Sequence, residues 1–344
     1  MRLIHVSDLK LGNACESFRA EADKRKEELW DTFKEICRAC NNRRAGLLLL
    51  SGNIFDRQPR FDEMQRLKEM FSLLDNTAVV WIAGTSDPLR EKNTYASYPW
   101  PENVHIIKGA GRVHLPALGC CVTGVSCMEE EMDADIFSAL RPAPSDELQI
   151  LMMNGDSAQG IRHEKLASFG YDYVALGGRQ NFYIWENERC AYAGSPEPLD
   201  ISGTGKHGYI LVNLSDKGTG IEIVDIAKRH FRSAWLYLSR FMSKTEVEKS
   251  WRIARGNSPE NTSYKLVLKG QRPEGISLKE YEELGDVIAV SDETESGFNI
   301  EEIKKAHSKD ILGAFIESME KEDGQTAAKA MEIGIEALLK GASN

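Results

Sequence analysis

Five short polar tips, each following an apolar run, carry the residues of this chain best suited to chemistry. They are Asp8 and Lys10 in "SDLKLG"; Gly52, Asn53 and Asp56 in "SGNIFD"; Gly84, Thr85, Ser86 and Asp87 in "AGTSDP"; Asn154, Gly155 and Asp156 in "MMNGD"; and Gly177, Gly178, Arg179 and Gln180 in "LGGRQ". Together they would make a polar crevice of carboxylates, amides and two cations. An Asp at a strand end commonly begins a metal site, but a lysine beside it has no free lone pair at neutral pH. Each tip taken alone reads as a turn, because Gly, Asn, Asp and Ser dominate turns for backbone reasons. All five at strand ends argue for a shared site, since ligands of open α/β sheets collect at the carboxyl ends of strands.

The elements that must position these tips follow from hydrophobic periodicity. Strand patterns cover residues 2–6, 47–50, 78–83, 104–107, 113–115, 121–125, 149–153 and 173–176. The helix over 21–40 places Leu29, Trp30, Phe33, Ile36, Cys37 and Cys40 on one face, and a second helix over 61–74 follows Pro59. Residues 182–185, 189–193, 209–213 and 220–224 are all strand-like. This density of strands predicts two packed β-sheets flanked by helices. From residue 227 the rhythm becomes β-α-β-α-β, "SDETESG" reads as a linker, and two amphipathic helices close the chain. One carries Ile311, Leu312, Phe315, Ile316 and Met319; the other Ala327, Met331, Ile335, Leu338 and Leu339. The expected domains are 1–226, 227–292 and 293–344.

Composition narrows the function classes. The chain has 344 residues, 42% hydrophobic, with a formal charge of −10, so nucleic-acid binding would need a local basic patch. No apolar run approaches membrane-spanning length and the first residues form no signal-peptide pattern, which predicts a cytoplasmic protein. Seven scattered cysteines fit a reduced compartment. Cys37 and Cys40 have CxxC spacing without a second pair and lie on an apolar helix face, which reads as core. His5 reads as a packed histidine, and His163, His207 and His230 lack partners at ligand spacing. No P-loop, GxSxG or nucleophile–His–Asp arrangement is present; "GTGKHG" lacks the Walker spacing and a following helix.

In order and spacing the tips resemble the motifs of the calcineurin-like metallophosphoesterases, and most closely those of SbcD-like DNA-repair exonuclease subunits. That signature runs D-x-H, G-D-x-x-D, G-N-H-D, a lone H-G, then G-H-x-H. "RQPR" after Asp56, "YAGSPEPLD" and "GKHGYILVNL" resemble the corresponding segments of the family. The resemblance covers residues 1–226. It implies a four-layer αββα metallophosphoesterase fold with a small α+β capping domain and C-terminal helices. An intact site would hold two Mn²⁺ or Mg²⁺ ions that clamp a phosphodiester.

The departures fall on the family's metal positions. Lys10 stands at the D-x-H histidine, Asn53 at the bridging Asp, and Thr85 and Ser86 at the Asn and His of G-N-H-D. Asn154 stands at the lone His, and Gly178 and Gln180 at the two histidines of G-H-x-H. Only Asp8 matches a metal ligand; Gly52, Asp56, Gly84 and Asp87 match residues that support the loops. Ser86, at the position of the family's general acid, cannot donate a proton near neutral pH. One carboxylate cannot hold two mutually repelling dications, so no catalytic residue and no cofactor are expected. Lys10 is expected to replace a metal's charge by pairing with Asp8.

The resemblance then implies a non-catalytic SbcD-like subunit, a DNA-binding or scaffold partner of an SbcC-like SMC-type ATPase. The C-terminal helices would dock on that ATPase, and the subunit would form a homodimer with no membrane contact. One alternative is an active metal-dependent exonuclease or phosphodiesterase with a rewired site, using Lys10 or Asp156 as acid. A single Mg²⁺ or Mn²⁺ on Asp8, Asn53, Asn154 and Asp156 belongs to the same group of readings. A second alternative is a phosphate or nucleotide sensor using Lys10 and Arg179. Arg57, Arg60, Arg90, Lys92 and Arg179 are candidate phosphate contacts, or ordinary surface charge.

Overall fold

The computed structural model describes residues 1–13, 22–90, 95–128, 140–142, 145–155, 166, 168–185, 189–215, 218–258, 261–273, 275–295 and 300–341. The chain divides into two compact units, Met1–Phe231 and Arg232–Asn344.

In chain order the first unit contains β1 (Arg2–Val6), α1 (Ala22–Asn42), β2 (Leu47–Ser51), α2 (Phe61–Phe71), β3 (Ala78–Ile82) and β4 (Val104–Ile107). There follow β5 (Ala110–Leu115), β6 (Cys120–Val125), β7 (Leu148–Asn154), β8 (Tyr173–Gly177), β9 (Tyr183–Ile184), β10 (Cys190–Tyr192), β11 (Gly208–Ser215) and β12 (Gly218–Asp225). They form two six-stranded sheets, β12-β11-β1-β2-β3-β4 and β5-β6-β7-β8-β10-β9. β1 to β4 run parallel, as do β6, β7, β8 and β10, so each set delivers its carboxyl ends to one edge of its sheet.

Strand alternation explains the layering. Successive side chains of a strand point to opposite faces, and a strand covered on both faces reads as a continuous apolar run. In β2, Leu48 and Leu50 join Leu29, Phe33, Ile36, Met64 and Leu67 of α1 and α2 in one core. Leu47 and Leu49 face the other way and meet Val122, Ile150, Met152 and Ala175 of the second sheet. A third core, with Leu151, Met153, Val174 and Leu176, covers the far face of the second sheet. Cys37 and Cys40 are buried free thiols in the first core. Two packed sheets with helices outside them are thus the observed architecture.

The second unit holds nearly all of β13 (His230–Leu238), then α3 (Lys244–Arg255), β14 (Thr262–Gly270), α4 (Leu278–Glu282) and β15 (Val287–Thr294), in a sheet ordered β13-β14-β15. Ser243 caps α3, accepting from the Glu246 N–H while its own N–H donates to the Glu246 carboxylate. Three helices follow: α5 (Ile300–Ala306), α6 (Ile311–Met319) and α7 (Gln325–Gly341). Leu312, Ile316, Met331 and Ile335 bury one another, with Ile300 and Ile303 against them. Two expectations are corrected here. The polar stretch Ser291–Thr294 extends β15, pairing with Val267–Gly270, instead of beginning a linker. A short additional helix, α5, precedes the two that were expected.

Candidate functional site

Hydrogen bonds from one sheet to the other hold the five tips together. The Gly178 N–H, just past β8, donates to Asp8 Oδ2 just past β1 at 2.7 Å. Asn154, the last residue of β7, donates from Nδ2 to the Ser51 carbonyl at 2.8 Å. The approach is close enough that a Cβ on Gly177 would overlap the Ser51 carbonyl oxygen, and one on Gly84 would overlap the Asn53 backbone nitrogen.

Within this frame Asn53 is the hub. Its Nδ2 donates to Asp8 Oδ1 at 2.7 Å, and its Oδ1 accepts from the Ser86 N–H and Oγ, each at 2.9 Å. The Ser86 Oγ also lies 2.7 Å from the Phe55 carbonyl, so one hydroxyl proton serves two acceptors. An Asp at position 53 could accept from Ser86 but could not donate to Asp8. Burial pushes the Asp8 carboxyl above its ordinary range, against the opposing pull of the Asn53, Gly178 and Ser7 hydrogen bonds and the Lys10 charge. Asp8, Lys10 and Asn53 all have positive φ, at 51°, 48° and 54°. Such left-handed turns cost energy away from glycine and cluster at functional sites.

Lys10 does not pair with Asp8. Its ammonium lies 3.8 Å from Asp56 Oδ1 in the tip after β2, a partly exposed ion pair between two neighbouring tips. Each Asp8 oxygen instead accepts from a neutral donor, Asn53 or Gly178. Asp87 is fully buried and accepts from three backbone N–H groups, of Ile54, Phe55 and Gly84, at 2.8–3.0 Å. Burial outweighs those bonds and raises its carboxyl to about 6. Gln180 ties down the loop after β10: its Oε1 accepts from the Leu199 N–H at 2.9 Å and its Nε2 donates to Asp200 at 3.1 Å. The Arg179 guanidinium stacks 4.6 Å above the Tyr192 ring, and the Tyr192 hydroxyl donates to the Gly155 carbonyl. Thr85 is exposed beside Ser86, and Asn154 Oδ1 is buried without a partner among the described residues. Asp156, Lys92 and His163 lie outside the described residues.

Two of the candidate phosphate contacts share one carboxylate. Arg57 makes two hydrogen bonds to Glu63, at 2.8 and 2.9 Å, and the Arg60 guanidinium donates to Glu63 Oε1 at 3.4 Å while its backbone N–H donates to Oε2 at the start of α2. Arg90 is exposed.

The donor set does not fit a pair of bridged divalent cations. Among the described residues, no three His, Cys, Asp or Glu side chains are grouped to hold a metal ion. The single carboxylate among the metal positions of the resembled motif, Asp8, spends both oxygens on neutral donors. The amide of Asn53 occupies the bridging position with its N–H group toward that carboxylate.

Two buried polar groups lie behind the crevice. His5, fully buried, bonds Tyr173 through Nδ1 at 2.8 Å and Ser51 through Nε2 at 2.7 Å. A proton on Nε2 satisfies the set, with the Tyr173 hydroxyl donating to Nδ1 and Ser51 Oγ donating to the Val6 carbonyl. Burial holds the His5 imidazole down at about 3. The second group was not legible in the sequence. Arg25 of α1, with no exposed surface, donates to Glu197 at 3.0 Å, to Glu28 at 2.9 Å and to the Pro198 carbonyl at 2.6 Å. Glu197 also accepts from Thr32 Oγ1 and the Lys228 N–H, and Glu28 accepts from Arg229. The network anchors "GSPEP" beside the crevice. An arginine on a polar-looking helix turn gives no sign of a partner 172 residues away.

No protein-family model and no curated protein sequence matches the chain. Among solved structures it is similar to a dimetal phosphatase from Danio rerio, at 11% identity, covering 64% of this chain and 96% of that one with a TM-score of 0.37. It is also similar to GAP50 of Plasmodium, described as the anchor in the inner membrane complex, at 10% identity over 76% of this chain and 98% of that one, with a TM-score of 0.40. Likeness at this level concerns the path of the chain and says nothing about chemistry. No helix among the described residues is long and apolar enough to cross a membrane.

Proposed function

We propose that this protein is a non-catalytic relative of the metallophosphoesterases, of SbcD-like type, whose crevice is a metal-free clasp between two sheets. The observation that carries the reading is the state of Asp8. Its two oxygens accept from the Asn53 amide and the Gly178 N–H at 2.7 Å each, neutral donors where a metal-binding carboxylate would face cations. Lys10 adds a positive charge where a dication would meet repulsion. In this reading the first unit acts as a scaffold, and the C-terminal helices α6 and α7 dock on an SMC-type ATPase as an amphipathic pair. DNA contact, a cytoplasmic location and a homodimer belong to the same proposal and rest on the order of the motifs.

Metal analysis of the purified protein, paired with a phosphodiesterase assay in Mn²⁺, tests it. The expected result is less than one equivalent of bound metal and no turnover that Asp8→Ala removes. Two equivalents of metal, or Mn²⁺-dependent hydrolysis lost in Asp8→Ala, would overturn the reading and favour a rewired hydrolase.

A further inference from the structure

The fold assembles a nucleophile, an imidazole and a carboxylate on the outer face of the second sheet. On β6, Cys120 and Val122 face the core between the sheets, so Cys121 and Thr123 face the other way. β5 alternates in the same manner: Val113 and Leu115 pack on that core, and Arg112 and His114 lie outside it. The antiparallel register sets His114 opposite Cys121 and Arg112 opposite Thr123. Nothing in the crevice reading uses them.

The contacts are those of a proton relay. The Cys121 thiol meets His114 Nε2 at 3.8 Å, and His114 Nδ1 lies 3.4 Å from the Glu147 carboxylate just before β7. A proton on Nδ1, facing Glu147, leaves Nε2 to accept the thiol proton. Thiol and carboxylate use different ring nitrogens, so the three do not converge on one point as metal ligands would. Two further groups point to a ligand. Thr123 and Tyr171 are 2% and 3% exposed, yet Thr123 Oγ1 and the Tyr171 hydroxyl have no well-aligned hydrogen-bond partner among the described residues. Thr123, Arg112 and Cys121 all bear on the ionisation of Tyr171, which puts its hydroxyl in the same cluster. Buried hydroxyls left unpaired cost stability, and a bound ligand would recover it.

Burial selects the ligand. Cys121 has no exposed surface, although the His114 side chain beside it is 56% exposed. A covered thiol disfavours bulky acyl donors and disulfides, whereas hydrogen peroxide is only two oxygen atoms long. Burial also pushes the thiol above its ordinary value, against the pull of Arg112, so it rests protonated and needs a base.

We propose that Cys121 is a peroxide-reducing thiol, with His114 as its base and Thr123 and Tyr171 as hydrogen-bond donors to the peroxide oxygens. The Sγ–H proton moves to His114 Nε2 as sulfur attacks one peroxide oxygen. The S–O bond forms, the O–O bond breaks, and the departing hydroxide takes the proton from the imidazolium to become water. Sulfur is oxidised to a sulfenic acid and the peroxide is reduced. Glu147 is a positioning residue that orients the ring. The site is separate from the crevice and stands if that reading fails.

The test is limited oxidation of the reduced, full-length protein. Hydrogen peroxide is added and removed with catalase, the chain is unfolded into dimedone to cap sulfenic acids, and fragment masses locate the cap. Cys121 is expected to be capped roughly tenfold or more faster than Cys190, another buried thiol of the same sheet. His114→Ala slows Cys121 oxidation about a hundredfold, and added imidazole restores part of the rate. A ring that merely shields the thiol gives the opposite sign, because its loss admits the reagent. Thr123→Val slows the reaction severalfold, and Glu147→Asp retains more of the rate than Glu147→Gln. Unchanged thermal midpoints show that the variants are folded. Cys121 oxidised no faster than Cys190, or faster in His114→Ala than in the native protein, overturns the proposal.

Discussion

The crevice of the first unit and the three-stranded sheet of the second are opposites in how their polar and aromatic groups are satisfied. In the crevice nearly every strong donor and acceptor already has a partner inside the protein: Asp8 with Asn53 and Gly178, Asp87 with three backbone N–H groups, Lys10 with Asp56. On the three-stranded sheet, Trp235 and Tyr237 are 52% and 69% exposed and Lys265 has no ion pair among the described residues. A ligand entering the crevice must replace bonds that the protein already makes. One landing on the sheet gains contacts that the protein lacks. Satisfied groups hold the fold together, while unsatisfied ones mark where binding energy is still to be gained.

The sharpest way to break this contrast is to disturb the clasp. Gly177→Ala should give the largest effect, because its Cβ would overlap backbone, not a flexible side-chain tip. The expected outcome is loss of soluble folded protein, or a destabilisation of roughly 4 kcal/mol or more in chemical denaturation. Asn53→Asp comes next. It places a second carboxylate against Asp8 and removes the donated hydrogen bond, for an expected loss of about 2–3 kcal/mol at pH 7. Two facing carboxylates have raised folded-state pKa values, so the sign is fixed: the loss shrinks as pH falls and the pair takes up a proton. If Mn²⁺ restores this variant's stability, the backbone still frames an ion; if it does not, the clasp has lost that ability too.

The third prediction concerns His5. Its ordinary value is 6.5 and burial holds it at about 3 in the fold, so between those values the unfolded chain binds the extra proton. Stability therefore falls as pH is lowered from 6.5, by about 1.4 kcal/mol per pH unit from this group alone. The difference in slope between the native protein and His5→Gln, measured from pH 7 to 4.5, isolates it. The smallest effect belongs to the sheet: Trp235→Ala and Tyr237→Ala should change unfolding free energy by less than about 0.5 kcal/mol each. A larger loss would mean that the rings are part of the unit's own packing, and the contrast between the two regions would narrow.

Much of the frame was legible because it rests on local periodicity. The doubly buried strands β2 and β3 announce themselves as continuous apolar runs, and α1 by its stripe from Leu29 to Cys40. The five tips were legible because turn residues repeat at strand ends. What escaped depends on distance in space and not on spacing in sequence. Lys10 was expected to meet the nearest acid in the chain, Asp8, yet that acid accepts from residues 45 and 170 positions away and Lys10 lies by Asp56 of the second tip. Arg25 and Glu197 look like solvated charges until the fold brings them together. The end of β15 was missed because an exposed strand carrying Asp292 and Glu293 has the composition of a linker. The helix α5 was missed because its apolar residues, Ile300 and Ile303, complete only a short stripe.

The pairing of β1 with β11 has a consequence for the order in which this protein can be made. Arg2 through His5 lie antiparallel to Ile210 through Asn213, so β1 gains one of its two neighbours only when β11, some two hundred residues later, emerges. Until then one edge of β1 is open, and the ordered sheet has an unfinished rim that could recruit strands from other chains. A ribosome-bound fragment that ends before residue 208 should therefore be far more prone to self-associate than one that runs past 225.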